Sequence, residues 1–142
     1  MAKELTLKLK SIFDTAPGWL QDWYFELRLA EEVYRAERFD STLTLCLIEL
    51  QPSLNVDGDE GIELLVALEQ QFRRTDLAGI TKANELAVCL VNAIGKQVPP
   101  VLERLLPVLG PHVAGYGYAS FPGDATTAEG LMSSARQALS RS

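Results

Sequence analysis

Residues 77–91, LAGITKANELAVCLV, contain two short apolar runs with a three-residue break between them. Residues 77–81 and 85–91 have the composition of strands, and Lys82, Ala83 and Asn84 form the break. Two strands joined by so short a connection predict a β-hairpin, although the turn signal is weaker than Asn-Gly would give. The rest of the chain is interpreted around this hairpin.

Helices and strands alternate on both sides of the hairpin. Apolar residues at helical spacing predict a helix from Leu20 to about Arg38, and residues 42–50 predict a central strand. Residues 51–61 form a polar loop, followed by a helix from about Asp59 to Arg74. Further helices are expected at 99–109 and, capped by Thr126, to about residue 139, with a strand at 112–120 between them. The order helix, β-α-β-β-α-β, helix predicts an α/β or α+β fold with one antiparallel hairpin in its sheet.

Composition limits the classes of function. The 142 residues are 47% hydrophobic, which suits one domain with one core. No apolar run approaches the roughly 20 residues that span a bilayer, and the first ten residues lack the features of a signal peptide, so we expect no membrane insertion and a cytoplasmic location. A net charge of −6 argues against nucleic-acid binding, which needs a basic face.

The sequence predicts no metal or other cofactor. Cys46 and Cys89 lie inside apolar runs and are interpreted as buried thiols. His112 is the only histidine and there is no CxxC pair, which excludes an ordinary zinc site. In the acidic loop, an EF-hand register starting at Asn55 would put Glu60 at the obligatory glycine and Val66 at the obligatory glutamate, so calcium is not expected there either.

Three stretches together resemble one bacterial signalling family. Residues 14–20, DTAPGWL, are similar to a D-x-L-T-G-L segment, and residues 115–124, GYGYASFPGD, to a strand followed by a Y-P-x-D-G-x-T loop. Residues 128–131 and 135–139 are similar to the closing helix A-D-x-A-L-Y. The chain thus resembles GGDEF domains, the diguanylate cyclase family, from residue 14 to about 139. The resemblance implies a ferredoxin-like palm with extra helices at both ends. Residues 14–142 are then a GGDEF-like domain, and residues 1–13, with apolar residues at Leu5, Leu7, Leu9 and Ile12, predict an amphipathic lead-in helix before it.

The same resemblance implies that cyclase chemistry is lost. The family holds metal with the first Asp of D-x-D, matched here by Glu49-Leu50-Gln51, and with the third residue of G-G-D/E-E-F. That motif falls on Lys82-Ala83-Asn84-Glu85-Leu86. Asn84 lacks the charge that a metal-binding carboxylate supplies, and Lys82 and Ala83 replace the glycines that let substrate approach the backbone. The guanine-reading segment is shortened, with Asn55 and Asp59 as loose counterparts.

The residues of one family site, which binds the reaction product, all have counterparts in this sequence. Family members bind cyclic di-GMP at R-x-x-D, five residues before the signature motif. Arg73-Arg-Thr-Asp76 stands at that distance here, and Arg104 matches a further arginine on the following helix. The guanidinium group of arginine can donate two parallel hydrogen bonds to a phosphate or to the edge of a guanine base. The competing interpretation is that Arg73 and Asp76 only decorate the end of a helix.

Three hypotheses follow from the sequence. The first is an inactive regulatory domain that binds cyclic di-GMP through Arg73, Asp76 and Arg104. The second is a protein-interaction or homodimerisation module without a nucleotide ligand, in which residues 1–13 transmit the signal or join subunits. The third is a residual enzyme that uses Glu49 and Glu85 on a nucleotide.

Overall fold

A five-stranded mixed sheet with two helices on each face forms the domain. The computed structural model describes residues 19–73 and 75–140. The predicted lead-in helix and its boundary at residue 14 lie outside the described residues. No helix in the described part is both long and apolar enough to cross a membrane.

After a two-residue first strand that was not predicted, the elements occur in the predicted order. The strands are β1 (Leu20–Gln21), β2 (Leu43–Leu50), β3 (Leu77–Ile80), β4 (Glu85–Val91) and β5 (Val113–Phe121). The helices are α1 (Asp22–Arg38), α2 (Asp59–Glu69), α3 (Val98–Leu109) and α4 (Ala128–Ser140). The hairpin is confirmed, since β3 and β4 pair antiparallel.

The sheet has the order β1-β3-β4-β2-β5. The strand β2 pairs antiparallel with both β4 and β5, while β1 pairs parallel with β3. Helices α2 and α3 pack on one face of the sheet, and α1 and α4 pack on the other. Alternate residues of β2 enter the two cores, which explains why this strand is an almost continuous apolar run. Each thiol is buried in a different core, Cys46 under α2 and α3 and Cys89 under α1 and α4.

Several predicted boundaries were wrong for local reasons. Helix α1 begins at Asp22 rather than Leu20, because Leu20 and Gln21 pair with Gly79 and Ile80 of β3. Helix α2 ends at Glu69 rather than Arg74, so the sequence 73–76 belongs to a connection and not to a helix end. The last helix is capped by Thr127 rather than Thr126, since the Thr127 hydroxyl accepts a hydrogen bond from the Gly130 amide at 2.9 Å.

Helix α4 lies unusually close to β5. A Cβ added at Gly117 would come within 2.5 Å of the Ala135 carbonyl oxygen and the Leu139 amide nitrogen. Only glycine leaves room for the helix backbone at this point. The close approach carries the side chains of α4 over the end of the hairpin.

Candidate functional site

The turn between β3 and β4 is tied to the end of β2. The Asn84 amide donates to the Thr81 carbonyl at 3.2 Å, and Asn84 has a φ of 59°, a conformation that asparagine tolerates better than most residues. The Leu50 amide donates to the Asn84 carbonyl at 3.1 Å, and the Asn84 side-chain amide makes a long 3.5 Å contact with the Leu50 carbonyl. The structure therefore holds Asn84 against Leu50, the last residue of β2.

Glu85 is buried and its carboxylate is fully engaged. Its side chain is 4% exposed, and it accepts a hydrogen bond from the Thr81 hydroxyl at 2.9 Å. Arg136 of α4 donates hydrogen bonds to the same carboxylate, with Nε 3.2 Å from both oxygens and Nη2 3.0 Å from Oε1. The hydrogen bond to Glu85 raises the pKa of Arg136 above its ordinary value. This acid therefore serves to join the hairpin to the last helix.

Glu49 lies directly opposite Glu85 in the β2–β4 ladder, but its side chain is exposed. Like charges that face each other across a ladder repel. The guanidinium of Arg136 beside Glu85 offsets that repulsion. Nothing in the sequence points to Arg136, because it is 51 residues from its partner and no local motif marks it.

Lys82 projects from the turn into solvent and reaches toward Asp22 at the start of α1. Its side chain is 89% exposed, and its Nζ is 3.9 Å from the Asp22 carboxylate. A cavity of about 410 Å³ lies beside it, and its lining includes Trp23, Asp57 and Asn84. Of the two predicted remnants of a guanine pocket, Asn55 caps the Asp57 amide at 3.0 Å, and Asp59 is an exposed residue of the first turn of α2.

The R-x-x-D sequence lies in the connection between α2 and β3, where its first and last residues form an ion pair. The Asp76 carboxylate, whose side chain is 4% exposed, accepts hydrogen bonds from the Arg73 amide at 3.0 Å and from Arg73 Nη2 at 3.2 Å. The same Nη2 also donates to the Val91 carbonyl at 2.9 Å. Since α2 ends at Glu69, Arg73 and Asp76 lie in the connection after the helix and not at its end. Arg73 itself remains 60% exposed.

Arg104 lies on α3 and lines the same cavity as this ion pair. Arg73, Asp76 and Arg104 all line one cavity of about 230 Å³, together with the polar residues Gln71, Asn92 and Gln97. Arg104, which is distant in sequence, thus converges with Arg73 and Asp76, and both arginines are exposed. Such an arrangement suits an anion that can also donate hydrogen bonds to the carboxylate of Asp76.

Within residues 19–73 and 75–140, no three His, Cys, Asp or Glu side chains come close enough together to hold a metal ion. Burial raises the pKa of both Cys46 and Cys89 to about 12, and for Cys89 the charges of Glu32 and Asp76 act in the same direction. Neutral thiols of this kind are poor ligands and poor nucleophiles.

His112 contacts an acidic side chain: its Nε2 is 3.0 Å from Glu60 Oε1, which links the start of α2 to the turn before β5.

Similarity to solved structures identifies the fold. No protein-family model and no curated protein matches the chain. Solved structures do match. A sensory box/GGDEF family protein from Caulobacter crescentus is 22% identical with a TM-score of 0.69, over 87% of this chain and 92% of that one. The coiled coil and GGDEF domain of DgcB from the same organism, in complex with c-di-GMP, is 14% identical with a TM-score of 0.71, over 98% and 86%. The chain has the fold of a GGDEF domain.

A third GGDEF-fold structure is the diguanylate cyclase SiaD from Pseudomonas aeruginosa in complex with its activator SiaC. It is 24% identical to this chain with a TM-score of 0.72, and the match covers 99% of this chain and 62% of that one. In this chain, Lys82, Ala83 and Asn84 form the turn between β3 and β4. The predicted nucleotide-cyclase palm is therefore confirmed.

Proposed function

We propose that this chain is a non-catalytic signalling domain that binds cyclic di-GMP through Arg73, Asp76 and Arg104. The observation that carries the proposal is the convergence of these three side chains on one cavity. DgcB, which has the same fold, holds c-di-GMP in its structure, and we extend that class of ligand to this chain.

The chemistry of the cavity fits one phosphate and one guanine edge. Arg104 is exposed and Arg73 is 60% exposed, so both guanidinium groups are available to a phosphodiester. A guanidinium fork binds phosphate through two parallel hydrogen bonds. On binding, Arg73 would exchange the Asp76 carboxylate for phosphate, and the freed carboxylate oxygens would accept the N–H groups of guanine. The Arg73 amide holds Asp76 in place during this exchange.

Loss of cyclase activity is supported by three features around the hairpin turn. Asn84 occupies the position of a metal-binding acid and carries no charge. Lys82 adds a positive charge beside it, which opposes a cation. Glu85 is already neutralised by Arg136, so a metal would have to displace a hydrogen-bonded guanidinium.

A second candidate function is protein interaction, either with a partner or with another copy of the chain. Large apolar side chains are exposed along α1, which is the kind of surface that marks binding sites. SiaD, of the same fold, is in complex with a protein activator. The two candidates are compatible, because the α1 surface and the Arg73 cavity involve different residues.

Calorimetric titration of the chain with cyclic di-GMP tests the proposal. We expect micromolar binding that weakens by about 10- to 100-fold in Arg73→Ala and in Arg104→Ala, since a hydrogen bond to a charged group contributes roughly 1.5–3 kcal/mol. Arg38→Ala is the matched control, because Arg38 is an exposed arginine on α1 and is not part of the cavity. Absence of binding heat, or equal binding by Arg73→Ala and the unaltered chain, would refute the receptor role.

A further inference from the structure

A large cavity lies between α1 and α4, on the face of the sheet opposite to α2 and α3. Its volume is about 810 Å³, which is in the range of small-molecule binding sites. It is larger than the Arg73 cavity and the cavity beside Lys82, and it shares no lining residue with either of them. Its residues therefore play no part in the proposed binding of cyclic di-GMP.

The cavity has an apolar floor and a charged rim. On α4, Glu129, Met132 and Arg136 recur at intervals of three and four positions, which places them on one side of the helix. Glu26 and Leu29, one turn apart on α1, line the opposite wall. Leu29 and Met132 are buried, at 0% and 6% exposure, while the three charged side chains are exposed. A ligand in this cavity would meet both kinds of surface.

The two acidic residues lie toward opposite ends of the cavity. Glu129 and Arg136 are seven residues apart on α4, which corresponds to about 10 Å along the helix axis. Glu26 lies near the Arg136 end, because its charge adds to the rise in the pKa of Arg136 that the hydrogen bond to Glu85 mainly causes. The carboxylates of Glu26 and Glu129 are therefore about two helical turns apart.

The negative charge of the rim is not compensated by the protein. Within residues 19–73 and 75–140, no basic side chain forms a salt bridge with Glu26 or Glu129. Arg136 lines the cavity, but its guanidinium is bonded to Glu85, which neutralises its charge. The N-terminus of α4 offsets only about half of the Glu129 charge. A negative rim of this kind attracts cations and repels anions.

We propose that the cavity between α1 and α4 binds a linear aliphatic di- or polyamine. One ammonium group of the ligand pairs with Glu129 and another with Glu26, while the methylene chain lies on Leu29 and Met132. An extended aliphatic chain of nine bonds spans about 11 Å, which matches the separation of the two acids. The site is independent of the Arg73 cavity, so it stands whether or not the chain binds cyclic di-GMP. The ligand also holds α4, which carries Arg136, against α1.

Titration of the chain with three eight-carbon probes tests the proposal. The probes are 1,8-diaminooctane, 1-aminooctane and 1,8-octanediol, and binding is followed by NMR through the methyl signals of Leu29 and Met132 at low salt. We expect the diamine to shift both signals and to bind about fivefold more tightly than the monoamine, because a second exposed ion pair contributes about that factor. The diol should bind most weakly. Equal affinity of the diamine and either other probe would overturn the proposal.

Two charge-removing variants show whether both acids act. In Glu26→Gln and in Glu129→Gln, the advantage of the diamine over the monoamine should disappear, since one carboxylate alone remains. Glu63→Gln is the matched control, because Glu63 is an exposed acid of α2 on the other face of the sheet. Its affinity for the diamine should be unchanged. An equal loss of affinity in Glu63→Gln and Glu26→Gln would show that the amine binds the acidic surface in general, and would overturn the proposal.

Discussion

Glu85 is an acid whose buried position depends on one distant arginine. Its carboxylate is almost inaccessible to water, and the guanidinium of Arg136 supplies most of its hydrogen bonds. Removing one partner of a buried pair leaves an uncompensated charge, which costs more than the pair contributes. Because Arg136 is 45% exposed, water can partly replace it and the cost is reduced.

We therefore expect Arg136→Ala to lower the free energy of unfolding by about 2 kcal/mol, measured by urea denaturation. Arg38→Ala is the control, since Arg38 stacks on Phe39 at the surface and its loss should change stability by less than about 0.5 kcal/mol. Equal stability of the two variants would show that Glu85 does not need Arg136.

The two buried thiols make the free energy of unfolding depend on pH in the alkaline range. Burial raises the pKa of each from an ordinary 9.0 to about 12, so the folded state keeps both thiols protonated. Below pH 9 both states are protonated and stability is unaffected. Above pH 9 the unfolded chain ionises and the folded chain does not, so stability falls as pH rises toward about 12.

The expected result is a decline in the free energy of unfolding between pH 9 and pH 11 that is smaller in Cys46→Ala with Cys89→Ala. The native chain should also resist a thiol reagent at pH 8 and react only after unfolding. Rapid reaction of the folded protein would contradict the burial of these side chains.

Among the elements, the contact of α4 with β5 is the tightest constraint. The Cβ of an alanine at 117 would press on the helix backbone, which cannot move aside as a side chain can. Gly117→Ala should therefore destabilise the fold by about 1–3 kcal/mol, measured by urea denaturation. Gly115→Ala is a matched control on the same strand, since its Cβ would meet the Leu139 side chain at an ordinary 3.6 Å. Equal effects of the two substitutions would contradict the close helix packing.

The sequence predicted the elements wherever periodicity was strong. The strands β2, β3 and β4 and the hairpin were recognisable because alternating and continuous apolar runs are direct consequences of burial. The short β1 was missed, since two residues carry no period and only the pairing with β3 defines them. The end of α2 was placed five residues late, because Phe72 continues the apolar pattern although the helix has already ended.

At the scale of the whole molecule, the sequence grouped some residues that the structure brings together but gave none of their contacts. Arg73, Asp76 and Arg104 converge on one cavity, as their register with the GGDEF pattern suggested. Their present contacts could not be foreseen, because the Arg73 bond to the Val91 carbonyl depends on the path of β4. The pairing of Arg136 with Glu85 was equally hidden, since it arises only when α4 closes on the sheet.

The chain has the GGDEF fold, and we propose that it has no cyclase activity. The most direct measurement is incubation of the concentrated chain with GTP and Mg²⁺, followed by chromatographic detection of cyclic di-GMP. The expected result is no product above a protein-free control, because Asn84 supplies no carboxylate and Glu85 is held by Arg136. Mg²⁺-dependent formation of cyclic di-GMP would contradict it and would make Glu49 and Glu85 working residues of an enzyme.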